Sequence, residues 1–111
     1  MPIKSNNPVI KDIGTGDTTI LNPIDGRAAL SFANVKNNGS IQVTVEAWKS
    51  PDPTSTNGSA ERIYSKVLAA GEEDTAFSLL TTVPMGFYLV MKASATDSIV
   101  DISYTQYSGD D

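Results

Sequence analysis

A chain of 111 residues with a net charge of −5 and neither Cys nor His has room for one core and little reactive chemistry. The two missing residue types exclude Ser-His-Asp and Cys-His nucleophile systems, His- or thiolate-bound zinc, haem ligation through His, and any disulfide framework. The eight cations stand singly along the chain, so neither a nucleic-acid backbone nor an anionic membrane surface finds a cationic stripe.

Residues 1–16 are rich in Asn, Pro and Gly, with one apolar pair, Val9-Ile10. Pro2 and Pro8 favour extended conformations in the residues before them. This stretch reads as an irregular arm, either a frayed terminus or an arm that clasps a neighbour. It lacks the apolar run of a signal peptide, and no window approaches the ~18 apolar residues of a membrane span, so the chain is expected to stay soluble.

From Thr18 the pattern changes to short period-two segments separated by turn chemistry. Thr18–Leu21 ends at Asn22-Pro23 and Asp25-Gly26; Arg27–Val35 closes on Lys36-Asn37-Asn38-Gly39-Ser40. Ile41–Trp48 is the clearest strand, with Ile41, Val43, Val45 and Ala47 on one face and Gln42, Thr44, Glu46 and Trp48 on the other. A long polar loop, residues 49–60, contains Pro51, Pro53 and Asn57-Gly58.

Glu61–Val67 follows as a strand with Ala70-Gly71 as its turn; residues 69–73 have room for one helical turn at most. Asp74–Leu80 is the next segment, and Thr81–Gly86 reads as punctuation. Phe87–Ser94 and Ile99–Tyr107 are two further strands, and Ser108-Gly109-Asp110-Asp111 is an acidic end. The pattern predicts an all-β, antiparallel β-sandwich, jelly-roll or Ig-like, of about seven to eight strands. Its divisions are an N-terminal arm (1–16), the sandwich (17–108) and an acidic tail (109–111).

The last two strands do not alternate cleanly. Phe87, Leu89, Met91 and Ala93 share one face, yet Tyr88 and Val90 stand on the other; Ile99 and Tyr107 likewise oppose Val100, Ile102 and Tyr104. A sheet with one wet face should be polar at alternate positions. Tyr88, Val90, Ile99 and Tyr107 therefore lie either beneath the arm or the 49–60 loop, or in a subunit interface, where aromatic residues are enriched. Trp48 either caps the sandwich or anchors a partner.

Candidate chemistry is sparse. Glu72-Glu73-Asp74 lacks the alternating oxygen ligands and central Gly of a calcium loop and reads as solvated surface. Asp12, Asp17 and Asp25 sit in turn-rich sequence, where Asp caps local backbone groups. Gly14-Thr15-Gly16-Asp17 lacks the Lys-Ser/Thr of a phosphate loop. No hydroxyl has an evident base. The expectation is a non-enzymatic domain with no catalytic residue, no cofactor and no metal, although Trp48, Tyr64, Tyr88 and Tyr107 could form a carbohydrate-binding face.

Two stretches resemble a known group of proteins. One is Ile24-Asp25-Gly26-Arg27-Ala28-Ala29-Leu30-Ser31-Phe32-Ala33-Asn34-Val35 leading into Ile41–Val45. The other is Val67-Leu68-Ala69-Ala70-Gly71-Glu72 with Val83-Pro84-Met85-Gly86-Phe87-Tyr88-Leu89-Val90-Met91-Lys92-Ala93-Ser94-Ala95-Thr96. Over residues 18–107 this pattern is similar to small β-sandwich structural proteins of tailed bacteriophages. The resemblance implies a virion protein, made in the host cytoplasm, that decorates or cements the capsid shell as a homo-oligomer, commonly a trimer. The alternatives are a neck, tail or baseplate component, or a carbohydrate- or cell-surface-binding module. The partner would be a major capsid protein or another virion protein, contacted through Val9, Ile10 and Trp48, with Tyr88, Val90, Ile99 and Tyr107 between subunits.

Overall fold

Alternating apolar residues form strands here because two sheets can each bury one face against the other. The protein's structure, a computed structural model, describes residues 4–108, with side chains from residue 7 onward. The acidic 109–111 tail and residues 1–3 of the expected arm lie outside the described residues. The strands are β1 (Lys4–Ile13), β2 (Thr18–Leu21), β3 (Arg27–Asn37), β4 (Val43–Ser50), β5 (Glu61–Leu68), β6 (Glu73–Thr75), β7 (Thr82–Pro84), β8 (Tyr88–Ala93) and β9 (Ser98–Tyr107).

One sheet runs β1-β9-β3, with β6 and β7 both on the free edge of β3; the other runs β2-β8-β4-β5. All pairings are antiparallel. β6 pairs with Asn34–Lys36 and β7 with Arg27–Ala29, so the two are halves of one interrupted edge strand. Apart from the β4–β5 hairpin and the β6–β7 link, each connection crosses between sheets. Counted this way the chain has eight strands in the order of a jelly roll. The all-β sandwich expected from the sequence is the fold observed, and of the two forms named it is the jelly roll.

Ile13, Leu68, Leu79, Leu89, Met91 and Ile102 are the largest side chains fully enclosed between the sheets. The interruption between β6 and β7 has a packing cause. Ala76 and Leu79 are both buried and stand three residues apart, a spacing that suits the 3-10 turn at Phe77–Leu79 and not a strand. The sequence segment Asp74–Leu80 is thus broken, while Val83 inside the expected punctuation is buried as the centre of β7. The expected turn at Ala70-Gly71 is present, with Gly71 at φ 77°.

The N-terminal arm requires correction. Residues 4–13 are not irregular: β1 pairs with β9 at ten successive positions, from Lys4 opposite Tyr107 to Ile13 opposite Ser98. Pro8 is compatible with this because an edge strand has one side with no ladder to donate to. The segment read as able to clasp a neighbour belongs to the chain's own sheet.

Candidate interaction surfaces

The outer face of the β2-β8-β4-β5 sheet carries three of the residues singled out from sequence. Register places Val90 between Thr19 and Trp48, Tyr88 opposite Ser50, and Lys92 opposite Glu46. An outward-facing position on a central strand is normally wet, yet Val90 and Ser50 are both wholly buried. The cover is the 51–60 loop, which leaves β4 at Ser50 and reaches Asp17 beside β2. There the Ser55 backbone N–H donates to Asp17 Oδ2 at 3.0 Å and the Ser55 hydroxyl donates to Oδ1 at 2.7 Å. The loop acts as a strap across the sheet.

Asp52 organises that strap. Its carboxylate accepts hydrogen bonds from the Thr54 hydroxyl at 2.6 Å, the Thr54 N–H at 3.1 Å and Asn57 Nδ2 at 2.9 Å. These donors, Thr54 and Asn57 foremost, hold its pKa below the usual carboxylate value. At Asp17 burial pushes the pKa upward, but the two Ser55 hydrogen bonds and the charge of Lys92 outweigh it, and the net shift is downward. The Lys92 ammonium lies 5.3 Å from the centre of the Trp48 ring, closing the face further.

Val90 consequently cannot be a subunit contact, because the chain's own strap covers it. Trp48 and Tyr88 remain half-buried at its margin. On the other sheet, Val9 and Ile10 point to opposite faces of β1, as neighbours in a strand must. Val9 turns inward, partly buried against the core, which leaves Ile10, 70% exposed, as the outward member of the pair. Ile99 is half-buried between Asp12 and Lys36. Tyr107 closes β9, with the Arg27 guanidinium 4.3 Å from its ring centre. The structure therefore gathers Trp48, Tyr88 and Val90 on one sheet and Ile10, Ile99 and Tyr107 on the other.

The acidic run at 72–74 is used internally as well as solvated. Glu72 accepts the Ala69 N–H at 2.8 Å, Glu73 accepts Asn34 Nδ2, and Asp74 accepts the Tyr64 hydroxyl at 2.9 Å. The Tyr64–Asp74 bond ties the β5 edge of one sheet to β6 of the other. Burial, then the Asp74 carboxylate, raises the Tyr64 pKa well above the usual tyrosine range. Sequence reasoning missed one structural residue entirely: Asn37, wholly buried, donates through Nδ2 to the carbonyls of Ile41, Leu68 and Ala69 and accepts the Gly39 N–H. Its only signal was membership of an Asn-Asn-Gly turn.

A shallow, open hollow of about 290 Å³ is lined by Ile24, Asp25, Gln106 and Ser108. Among the described residues no three acidic side chains converge as a metal site, and no helix is long and apolar enough to cross a membrane.

The fold defines a class, the antiparallel jelly-roll sandwich. No family model matches the chain, and no curated protein does. Among solved structures it is similar to a chain from Bacillus endospore appendages, described as a novel family of disulfide-linked pili. The TM-score is 0.50 at 13% identity, covering 96% of this chain and 88% of that one. At that identity the likeness establishes the shared fold.

Proposed function

We propose that the protein is a non-enzymatic structural subunit that builds or coats a larger protein assembly. The observation that carries this reading is the apolar surface left over once the core is full. Ile10, Ile24, Phe77 and Met85 are 58–89% exposed, and they lie on β1, the β2–β3 loop, the 3-10 turn and the β7–β8 loop. A closed dimer needs one self-complementary patch, whereas a lattice, shell or fibre needs contacts on several sides of each subunit. The sequence resemblance to phage β-sandwich proteins supports the particular form of a virion decoration or cement subunit, a homo-oligomer bound to the shell. Each contact would stabilise the particle by mass action.

A pilus-like fibre subunit is the second reading, favoured by the similarity to the endospore appendage chain. This chain has no Cys, so such a fibre would be held without disulfides. Light scattering and electron microscopy of the purified chain over a range of concentrations, with and without phage shells, test both readings. Concentration-dependent oligomers that co-sediment with shells support decoration, and filaments formed by the chain alone support the fibre. A strict monomer that associates with neither refutes the assembly role, and glycan binding by such a monomer would replace it.

A further inference from the structure

The chain contains two Asn-Gly pairs, and the fold treats them differently. At Asn38-Gly39 the Gly39 N–H donates to the buried Asn37 Oδ1 at 2.9 Å, and the Asn38 N–H donates to the Asp97 carbonyl at 2.8 Å. This pair is locked into a closed corner. At Asn57-Gly58 the Gly58 amide donates to no group among the described residues, and the space around Gly58 is open. The Asn57 side chain folds back over the residues that follow it: its Oδ1 accepts the Ser59 N–H at 2.7 Å, and its Nδ2 donates to Asp52 Oδ2 at 2.9 Å.

That arrangement polarises one amide. The Ser59 N–H sits on the oxygen where negative charge would develop if Asn57 Cγ were attacked, the geometry that stabilises a tetrahedral intermediate. Gly58 has no Cβ beside its backbone nitrogen to obstruct that nitrogen's approach.

We propose that Asn57-Gly58 is a self-modifying site and the chemical latch of the 51–60 strap. The Gly58 nitrogen loses its proton to solvent base and bonds to Asn57 Cγ. The Cγ–Nδ2 bond breaks, and the nitrogen departs as ammonia after taking a proton from water. Water then opens the five-membered imide at either carbonyl, leaving aspartate or isoaspartate at position 57. No oxidation or reduction is involved.

The product cannot keep the latch closed. Position 57 changes from a donor to Asp52 into a carboxylate facing it across a former hydrogen bond, and two like charges at that range disfavour each other strongly. Asp52 also holds both Thr54 contacts, so the strap loses its organiser. Val90 and Ser50 lie beneath, and Trp48, the only Trp in the chain, stands at the margin.

The test is to age the full-length chain at mildly alkaline pH. Peptide mapping follows the amide-to-acid mass gain while Trp48 emission and its quenching by acrylamide are recorded. The Asn57 peptide is expected to convert severalfold faster than the Asn38 peptide, with Trp48 emission moving to longer wavelength in step. Gly58→Ala, which open space and an ordinary φ allow to fold, is expected to lose most of the conversion and of the spectral change. Asn57→Asp is expected to show the shifted emission from the outset. Equal or faster conversion at Asn38, or none at Asn57, refutes the site. Conversion at Asn57 with Trp48 emission and quenching unchanged, in the aged chain and in Asn57→Asp, refutes the latch.

Discussion

Replacing Asn37 by Ala tests how the two ends of the β3–β4 and β5–β6 corners are held together. The side chain's two Nδ2 hydrogens are shared among the carbonyls of Ile41 at 2.7 Å and of Leu68 and Ala69 at 3.2 Å, and its Oδ1 accepts the Gly39 N–H at 2.9 Å. A net hydrogen bond contributes roughly 1 kcal/mol, and an orphaned buried partner costs about 1–3 kcal/mol. Leu68 is fully buried, so its carbonyl has the least access to replacement water, whereas Ile41 and Ala69 are exposed and regain water readily. Counting one orphaned group in full and the others at a fraction gives about 2–4 kcal/mol. Urea unfolding should show a lower midpoint with an unchanged slope, since the surface exposed on unfolding does not change. Asn37→Asp preserves the shape but aims a carboxylate at three carbonyls, and should cost more than the Ala variant. Asn34→Ala is the internal control: its bond to Glu73 is exposed and 3.4 Å long, so the loss should stay within about 0.5 kcal/mol. A wild-type midpoint in Asn37→Asp would refute the reasoning.

Ser98 is wholly buried and its hydroxyl has no partner among the described residues; Ser98→Ala should leave stability unchanged or raise it by up to about 1 kcal/mol, read by thermal melting. Asp17 has a depressed folded pKa, so its clasp on Ser55 is fully present above the unfolded carboxylate value and is lost as pH falls through the folded one. Acid titration of Trp48 emission should therefore show the strap loosening below about pH 4, and Ser55→Ala, which removes the hydroxyl donor to Asp17 and keeps the backbone one, should reduce that change. Tyr64 has a raised folded pKa, so the contribution of its neutral hydroxyl is intact below the ordinary tyrosine value and lost as pH rises towards the folded one. Ultraviolet titration should show a late-ionising component that Tyr64→Phe abolishes.

Most of the fold was legible because it rests on local alternation. Thr18–Leu21 coincides with β2, and β3, β5, β8 and β9 fall within two residues of their expected ends. Ile41 shows the limit: its parity matches Val43, Val45 and Ala47, but the strand begins at Val43 and leaves Ile41 60% exposed. β1 was hidden because a ten-residue edge strand with Asn, Pro and Lys at its polar positions has arm-like composition. What made it a strand is its pairing with β9, some 90 residues on, and no local pattern carries that. The Asp17–Ser55 and Asn37–Leu68 contacts span 38 and 31 residues, so they were equally invisible. Leftover apolar positions on β8 were readable, but whether strap or partner covered them was not. The strap accounts for Val90.

That outcome bears on how subunits of this chain can meet. A ten-residue edge such as β1 is a template for strand addition unless something blocks it. In an antiparallel ladder each residue aims its N–H and C=O to the same side, alternating along the strand. The Ser103 carbonyl faces β3, where it accepts the Ser31 hydroxyl. Its register partner Pro8 therefore directs its backbone away from β9, towards the open edge, with Asn6 and Ile10 on the same parity. The donor missing at Pro8 falls near the middle of that outward row, so a neighbouring strand could not form an unbroken ladder there. β5 has no Pro, but Glu61, Arg62 and Lys66 place charges along its edge. Association through β1 must then come from side-chain packing, with Ile10 as the exposed anchor. Ile10→Lys should weaken oligomers or particle binding without lowering the unfolding midpoint. If assembly survives Ile10→Lys but is abolished by Pro placed at Ser65 in β5, backbone pairing at that edge is the mode of assembly instead.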